Sequence, residues 1–279
     1  MKNNKSLASY RLYRHIWIFF IILSAKMHAQ VDSIANKFFS YGYFIQGNDT
    51  LPYRYYIPEN QNNNTTYQPV STLIFLHGAG ERGNNNESQL MHMGFWLMNA
   101  AIANNMAVFI PQCASNDYWS NVIKSVNKTG KRKFDFQEGG DPTTAMKLLL
   151  AFTDSIAKQP WFNNNQAFVG GLSMGGMGTV EICKRKSNFF QAAFPICGGG
   201  KIPNPNTNMR WWIFHGNKDK VVAMKHSKQL LKQLHTLGSN NAKLTIYQGV
   251  GHNAWDYVKL EPDFWQWLLS PTQVQLNTK

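Results

Sequence analysis

The chain has 279 residues, 43% of them hydrophobic and 14% aromatic, with a formal charge of +13 and three cysteines. That apolar content is enough for one large core, which excludes a disordered chain, and three cysteines allow at most one disulfide, which excludes a cystine-stapled scaffold. The positive charge has no groove-reading or base-stacking motif beside it and clusters only at Lys131-Arg-Lys133 and Lys184-Arg-Lys186, so nucleic acid is not an expected partner.

In chain order, Lys2, Lys5, Arg11 and Arg14 precede the apolar run Ile16–Leu23 and a small-residue stretch ending near Ala29. This pattern predicts a secretory signal peptide over residues 1–29, and residues 30–279 then form a single domain that is secreted or periplasmic. The apolar run is short of the roughly 20 residues that span a bilayer, so no stable membrane anchor is expected after leader removal. Without the five leader cations, Lys2, Lys5, Arg11, Arg14 and Lys26, the formal charge falls from +13 to +8, a balance suited to acidic polymers such as uronic-acid polysaccharides.

The segments Tyr41–Ile45 and Leu51–Ile57, separated by Gly47-Asn-Asp, predict a β-hairpin. After a polar loop, Ser71–Leu76 is a continuous apolar run that suits a buried parallel strand. A helix over 88–103 and a strand at Ala107–Ile110 follow. From Ser115 to Gly140 no periodicity is readable, so a long irregular loop is expected, with Trp119 as a candidate substrate contact. Asp141-Pro142 starts a helix reaching about Gln159. Strands at Ala192–Ile196, Arg210–Phe214 and Leu244–Tyr247, and helices over 222–237 and 255–269, complete the chain. The asparagine-rich patches at 62–64, 84–86 and 163–165 are expected in loops. Alternating strands and helices imply an α/β class, a mostly parallel central sheet with helices on both faces and an N-terminal β-hairpin.

The run Gln166–Gly176 places Ser173 inside Gly171-Leu-Ser-Met-Gly175, between a strand-like and a helix-like stretch, the pattern of a nucleophile elbow. A serine nucleophile needs a base, and the base needs an orienting carboxylate. Asp219 lies just beyond one later strand and His252 just beyond the last, each where a parallel sheet gathers its catalytic loops. Asp256 is the rival acid, better placed to cap the last helix. His77 and His215, each before a glycine at a strand end, read as buried structural residues, and His92, His226 and His235 as partly exposed or locally satisfied. Cys113, Cys183 and Cys197 read as buried thiols, and their spacing makes no zinc site; no metal and no cofactor are implied.

His77-Gly78, Gly171-Leu-Ser-Met-Gly-Gly176, His215-Gly-Asn-Lys-Asp219 and Gly251-His252, in this order, resemble the α/β-hydrolase superfamily. Leu51–Pro58 with Leu76–Gly83 is similar to the secreted feruloyl and acetylxylan esterases of carbohydrate esterase family 1, a pattern shared by polyhydroxybutyrate-depolymerase-like proteins. The resemblance implies an α/β-hydrolase catalytic domain, the triad Ser173, Asp219 and His252, and an oxyanion hole built from the amides of Met174 and Ala79, with Gly80 as the alternative to Ala79. Glu81, Arg82 and Trp119 are candidate substrate contacts; the alternatives are a Glu81–Arg82 ion pair that pins the loop and a Trp119 that plugs it. The function expected is a secreted serine carboxylesterase acting on a small-molecule or polysaccharide ester. A serine peptidase of prolyl-oligopeptidase type and a non-enzymatic glycan binder are the competing readings.

Overall fold

The computed structural model describes residues 33–59, 68–128, 130 and 132–271; the leader expected over 1–29 and the asparagines at 62–64 lie outside them. Two aromatic-rich segments open the fold as strands β1 (Ser40–Gln46) and β2 (Asp49–Tyr56), paired antiparallel across a turn in which Gly47 takes φ +61°. A helical lead at 33–38 is tied to them by the buried Arg54, whose Nε donates to the Phe39 carbonyl at 3.0 Å. Strands β3 (Val70–Leu76) and β4 (Ala107–Pro111) are almost wholly apolar and pair parallel. Strand β4 also receives β2 antiparallel, which makes the hairpin one end of the sheet.

Two later strands, β5 (Val122–Val126) and β6 (Arg132–Phe136), form a separate antiparallel ribbon. The irregular loop expected over 115–140 therefore contains a hairpin. Charged residues outnumber apolar ones in it, so no hydrophobic alternation announced two strands. Strands β7 (Phe162–Leu172), β8 (Ala192–Ile196), β9 (Arg210–Gly216) and β10 (Ala242–Tyr247) extend the main sheet in parallel. Its order is β1-β2-β4-β3-β7-β8-β9-β10. Asn163–Asn165 fall inside β7, not in a loop as expected; this first part of β7 is largely exposed and extends past the core.

Helices cover both faces. Alternate strand residues divide between two cores: Ile74, Leu76, Trp211 and Ile213 pack under α2 (Thr144–Ala157), α3 (Met174–Arg185) and α4 (Lys225–Thr236). Leu73, Phe75, Trp212 and Phe214 face α1 (Gly94–Ala103), α5 (Trp255–Val258) and α6 (Phe264–Leu269). Several helix limits differ from the sequence reading. The expected helix 88–103 starts as a single 3-10 turn at Ser88–Leu90, and α1 begins only at Gly94. Thr143, not Asp141, caps α2, its hydroxyl accepting the Met146 N–H at 3.2 Å. The expected last helix is two short ones, because Pro262 between them has no N–H to continue the first and restricts Glu261 before it. All three cysteines are buried and unpaired. No helix among the described residues is long and apolar enough to cross a membrane.

Candidate active site

Strands β3, β7, β9 and β10 are parallel, so the loops that follow them emerge on one edge of the sheet. Ser173 is the residue between β7 and α3, and its backbone sits at φ 55°, ψ −113°, a conformation rare for a residue with a Cβ. The surrounding structure enforces that angle. Ser173 N–H donates to the Ile196 carbonyl at 2.8 Å, and α3 starts at the next residue. The turn is tight enough that a Cβ on Gly175 would lie 1.9 Å from the Leu76 carbonyl oxygen, and one on Gly171 would lie 2.5 Å from the Gly175 backbone. Strand, turn and helix can close only because both positions are glycine.

Ser173 Oγ and His252 Nε2 are 2.9 Å apart, and His252 Nδ1 is 2.7 Å from Asp219 Oδ2. Pairs 79 and 33 positions apart in the sequence thus form one hydrogen-bonded relay, within reach of solvent at the serine and histidine and closed off at the carboxylate. Asp219 Oδ1 accepts the N–H groups of Val221 and Val222 at 2.8 and 2.9 Å, and His215 Nε2 approaches Oδ2 at 3.2 Å. Because Asp219 holds these residues in a turn, α4 starts at Lys225 rather than at 222. Burial alone raises the pKa of Asp219, but hydrogen bonds from His215, His252 and the Val222 N–H outweigh it and hold the group ionised well below the usual carboxylate range. Asp256 makes no bond to His252. It is exposed, bonds Lys259 Nζ at 2.9 Å and Asn253, and sits in the first turn of α5 behind the N-cap Ala254, so it neither orients the histidine nor caps the helix.

Met174 is the first residue of α3, so its N–H has no partner within the helix. The loop after β3 lies against the same serine: a Cβ on Gly78 would be 3.6 Å from Ser173 Cβ, and Ala79 follows directly. His77 and Glu81 fix this loop from behind. Cys113 N–H donates to His77 Nε2 at 2.9 Å, so the ring proton is on Nδ1, which donates to the Gly78 carbonyl at 2.6 Å. Burial drives the pKa of His77 down to about 4, which keeps the ring neutral.

The three expected substrate contacts are placed otherwise. Glu81 is buried; its Oε2 accepts the Gly78 N–H at 2.6 Å, and its Oε1 lies 3.3 Å from His92 Nε2. Burial disfavours its charge, but His92, His77 and the Gly78 N–H more than compensate and lower its pKa. Arg82 does not pair with it. The guanidinium donates to the carbonyls of Ala79 and Asp117 at 3.0 and 3.1 Å, so both residues pin the loop separately, through backbone atoms. Trp119 has no exposed surface: its ring meets His77 edge-on, and its Cβ is 2.4 Å from where a Gly178 Cβ would be. It fills the space under the loop and cannot stack on a substrate. His226 is likewise buried, edge-on to Phe134 and Phe136.

Trp255, which the sequence did not single out, and a cluster behind Asp219 complete the surroundings. Trp255 stands edge-on to His252, with ring centres 5.4 Å apart, and contacts His92 on its other side. The Cys197 thiol, His215 and Asp219 lie within 4.8 Å of one another. Cys197 itself takes φ 49°, and burial, with Asp219 beside it, pushes its thiol pKa far up. The only signal for this buttress was the four-residue spacing of His215 and Asp219.

A family model described as phospholipase/carboxylesterase matches residues 62–260. The chain belongs to that family. Among solved structures, a thermostable esterase is 26% identical with a TM-score of 0.71; the match covers 85% of this chain and 64% of that one, so the chain spans less than two thirds of its length. S-formylglutathione hydrolase from Staphylococcus aureus is 15% identical with a TM-score of 0.59, covering 83% of this chain and 98% of that one. A ferulic acid esterase is 16% identical with a TM-score of 0.57, covering 83% and 97%. No curated protein sequence matches. Family and fold together support an α/β-hydrolase of the esterase type.

Proposed function

We propose that this phospholipase/carboxylesterase family member is an exported serine carboxylesterase that cleaves acetyl or feruloyl esters on plant polysaccharide through an acyl-enzyme. The relay from Ser173 Oγ through His252 to Asp219, at 2.9 and 2.7 Å, carries the reading. His252 Nε2 takes the serine proton as Oγ attacks the ester carbonyl, and the carbonyl electron pair moves onto oxygen. The Met174 and Ala79 amides donate to that oxyanion, an interaction whose loss typically costs about 10²- to 10³-fold in rate. The imidazolium, stabilised by Asp219, then protonates the departing alcohol. Water repeats the sequence on the acyl-enzyme and returns the serine. The similarity to a thermostable esterase supports ester rather than amide hydrolysis. The basic, apolar and small-residue order of residues 1–29 supports export.

The test is hydrolysis of p-nitrophenyl acetate by the purified protein beside Ser173→Ala. The variant is expected to lose at least about 10⁴-fold in kcat. Equal rates for the two proteins would sink the assignment. Mass-spectrometric screening of acetylated and feruloylated oligosaccharides then identifies the acyl group.

A further inference from the structure

We propose that the β5–β6 hairpin and the loop after β9 form a cationic track that holds a carboxylate-bearing polysaccharide, a polyuronate, across the catalytic edge. This deepens the esterase reading by naming the class of polymer, and rests on it only for what happens after binding.

The hairpin is anchored at the rim of the site. Phe134, Phe136, Met177 and Val222 form one small core, joined by Tyr118 and Val221. Met177 is one helical turn from Ser173 and donates its N–H to the Ser173 carbonyl at 3.1 Å, while the Val222 N–H bonds Asp219. The hairpin's inner face is therefore fixed one residue layer from both ends of the relay. At its exit, Lys184 Nζ donates to the Gln137 carbonyl at 2.9 Å, and Arg185 donates to the Gly140 carbonyl at 3.0 Å.

The exposed charges along the hairpin are mostly basic. Lys124, Lys128, Arg132 and Lys133 are exposed, and Lys218 and Lys220 continue the charge on the loop that carries Asp219. Over 122–136 and 217–222 the acidic residues are Asp135 and Asp219, and Asp219 is buried in the relay. Some of the other cations are neutralised where they stand, whereas Lys228 and Lys232 on α4, like the track, have no salt-bridge partner among the described residues. Lys184 and Arg185 pair with Glu181, Lys186 with Asp154, Lys201 with Glu138 and Lys259 with Asp256. Among the described residues none of the six track cations has a carboxylate partner, and Lys124 lies over the Tyr118 ring at 4.0 Å. Six unpaired like charges along one rim repel one another, and a polyanion relieves that repulsion.

The pleat favours a soluble chain over a membrane. Lys124 and Arg132 share one face of the ribbon with Val126 and the packed Phe134 and Phe136, whereas Lys133 is on the opposite face with Ile123 and Asp135. Charges and exposed aliphatic side chains thus occupy both faces, and a flat lipid surface meets one of them. A linear polymer can follow the ribbon's edge and continue past Ser173.

The experiment measures binding of polygalacturonate, which carries no ester, by isothermal titration at two salt concentrations, with neutral arabinan as comparison. The intact protein is expected to bind polygalacturonate at least about tenfold more tightly than arabinan, and to lose that preference at high salt. K124Q/R132Q/K133Q is expected to weaken polygalacturonate binding by about tenfold or more, with p-nitrophenyl acetate turnover unchanged; K228Q/K232Q on α4 leaves both unchanged. If the triple variant does not fold, K218Q/K220Q makes the same test. The proposal is overturned if polygalacturonate does not bind, if the track variants bind it as tightly as the parent, or if phosphatidylglycerol vesicles bind better. Failure of the parent to hydrolyse p-nitrophenyl acetate would sink the esterase reading and leave the binding result standing.

Discussion

Glu81 shows how a single side chain can matter to a site it does not face. Sequence position next to the oxyanion loop made it a candidate substrate contact, yet its carboxylate is turned inward onto the Gly78 N–H at 2.6 Å, one residue before the proposed donor Ala79. A buried carboxylate held by a backbone N–H and by His92 fixes the His77–Gly78 peptide plane, one plane before the plane that carries the Ala79 N–H, and so helps set the direction in which that N–H points. Glu81→Gln keeps the shape but weakens a charge-assisted bond, so kcat is expected to fall by about tenfold with KM nearly unchanged. Steady-state kinetics on p-nitrophenyl acetate would show this split. An equal rise in KM would instead mean that Glu81 touches substrate. Arg82, bonded to the Ala79 carbonyl, holds the Ala79–Gly80 peptide on the other side of that N–H.

At the scale of elements, the decisive joint is where β3, β7 and α3 meet. Gly171 and Gly175 were legible in the sequence as part of a short pattern, but the pattern does not say what they approach. The structure shows that it is the end of β3: the Leu76 carbonyl oxygen occupies the space that a Gly175 Cβ would need, at 1.9 Å. Backbone at the centre of a parallel sheet cannot yield as a flexible side chain can. Gly175→Ala is therefore expected to destabilise the protein by about 3 kcal/mol or more, seen as a lowered urea midpoint or loss of soluble protein. The β5–β6 hairpin is the opposite case. Its inward Phe134 and Phe136 are spaced two apart, but its other strand is Val-Ile-Lys-Ser-Val with four exposed residues, so local sequence carried almost no strand signal and cross-strand pairing decided. The break between α5 and α6 was legible in principle, since Pro262 stands in the middle of the apolar stretch that was read as one helix.

For the molecule as a whole, the buried histidines set a pH limit on the fold. His77 and His226 each have a pKa lowered by burial from 6.5 to about 4. Unfolding exposes both, and the unfolded chain binds protons there below pH 6.5 while the folded one does not until about pH 4. Stability is thus full above pH 6.5 and falls as pH drops through that window. For His77, which is fully enclosed, the loss by pH 4 is about 3 kcal/mol. Asp219 acts in the same direction at lower pH: its depressed pKa stabilises the fold above the ordinary carboxylate range, and that contribution disappears as its folded pKa is approached. Urea unfolding at pH 7.5, 5.5 and 4.5 is expected to show a progressively lower midpoint; an unchanged midpoint at 4.5 would contradict the buried neutral state of His77.

Apart from the β5–β6 hairpin and the split of the last helix, the sequence by itself determined the order of strands and helices, the α/β class, and the identity of a serine, an acid and a histidine set just beyond strand ends. Those are local properties: apolar runs decide which segments are buried, and glycine-flanked turns decide where a chain leaves the sheet. Sequence favoured Asp219 over Asp256 as the acid that meets His252, and the parallel pairing of β9 with β10 is what places the Asp219 turn beside the histidine loop. The inward turn of Glu81, the complete burial of Trp119 and the cationic hairpin at the rim were decided only by tertiary structure. The direction a side chain takes depends on neighbours tens of residues away, and no spacing within one segment contains that information.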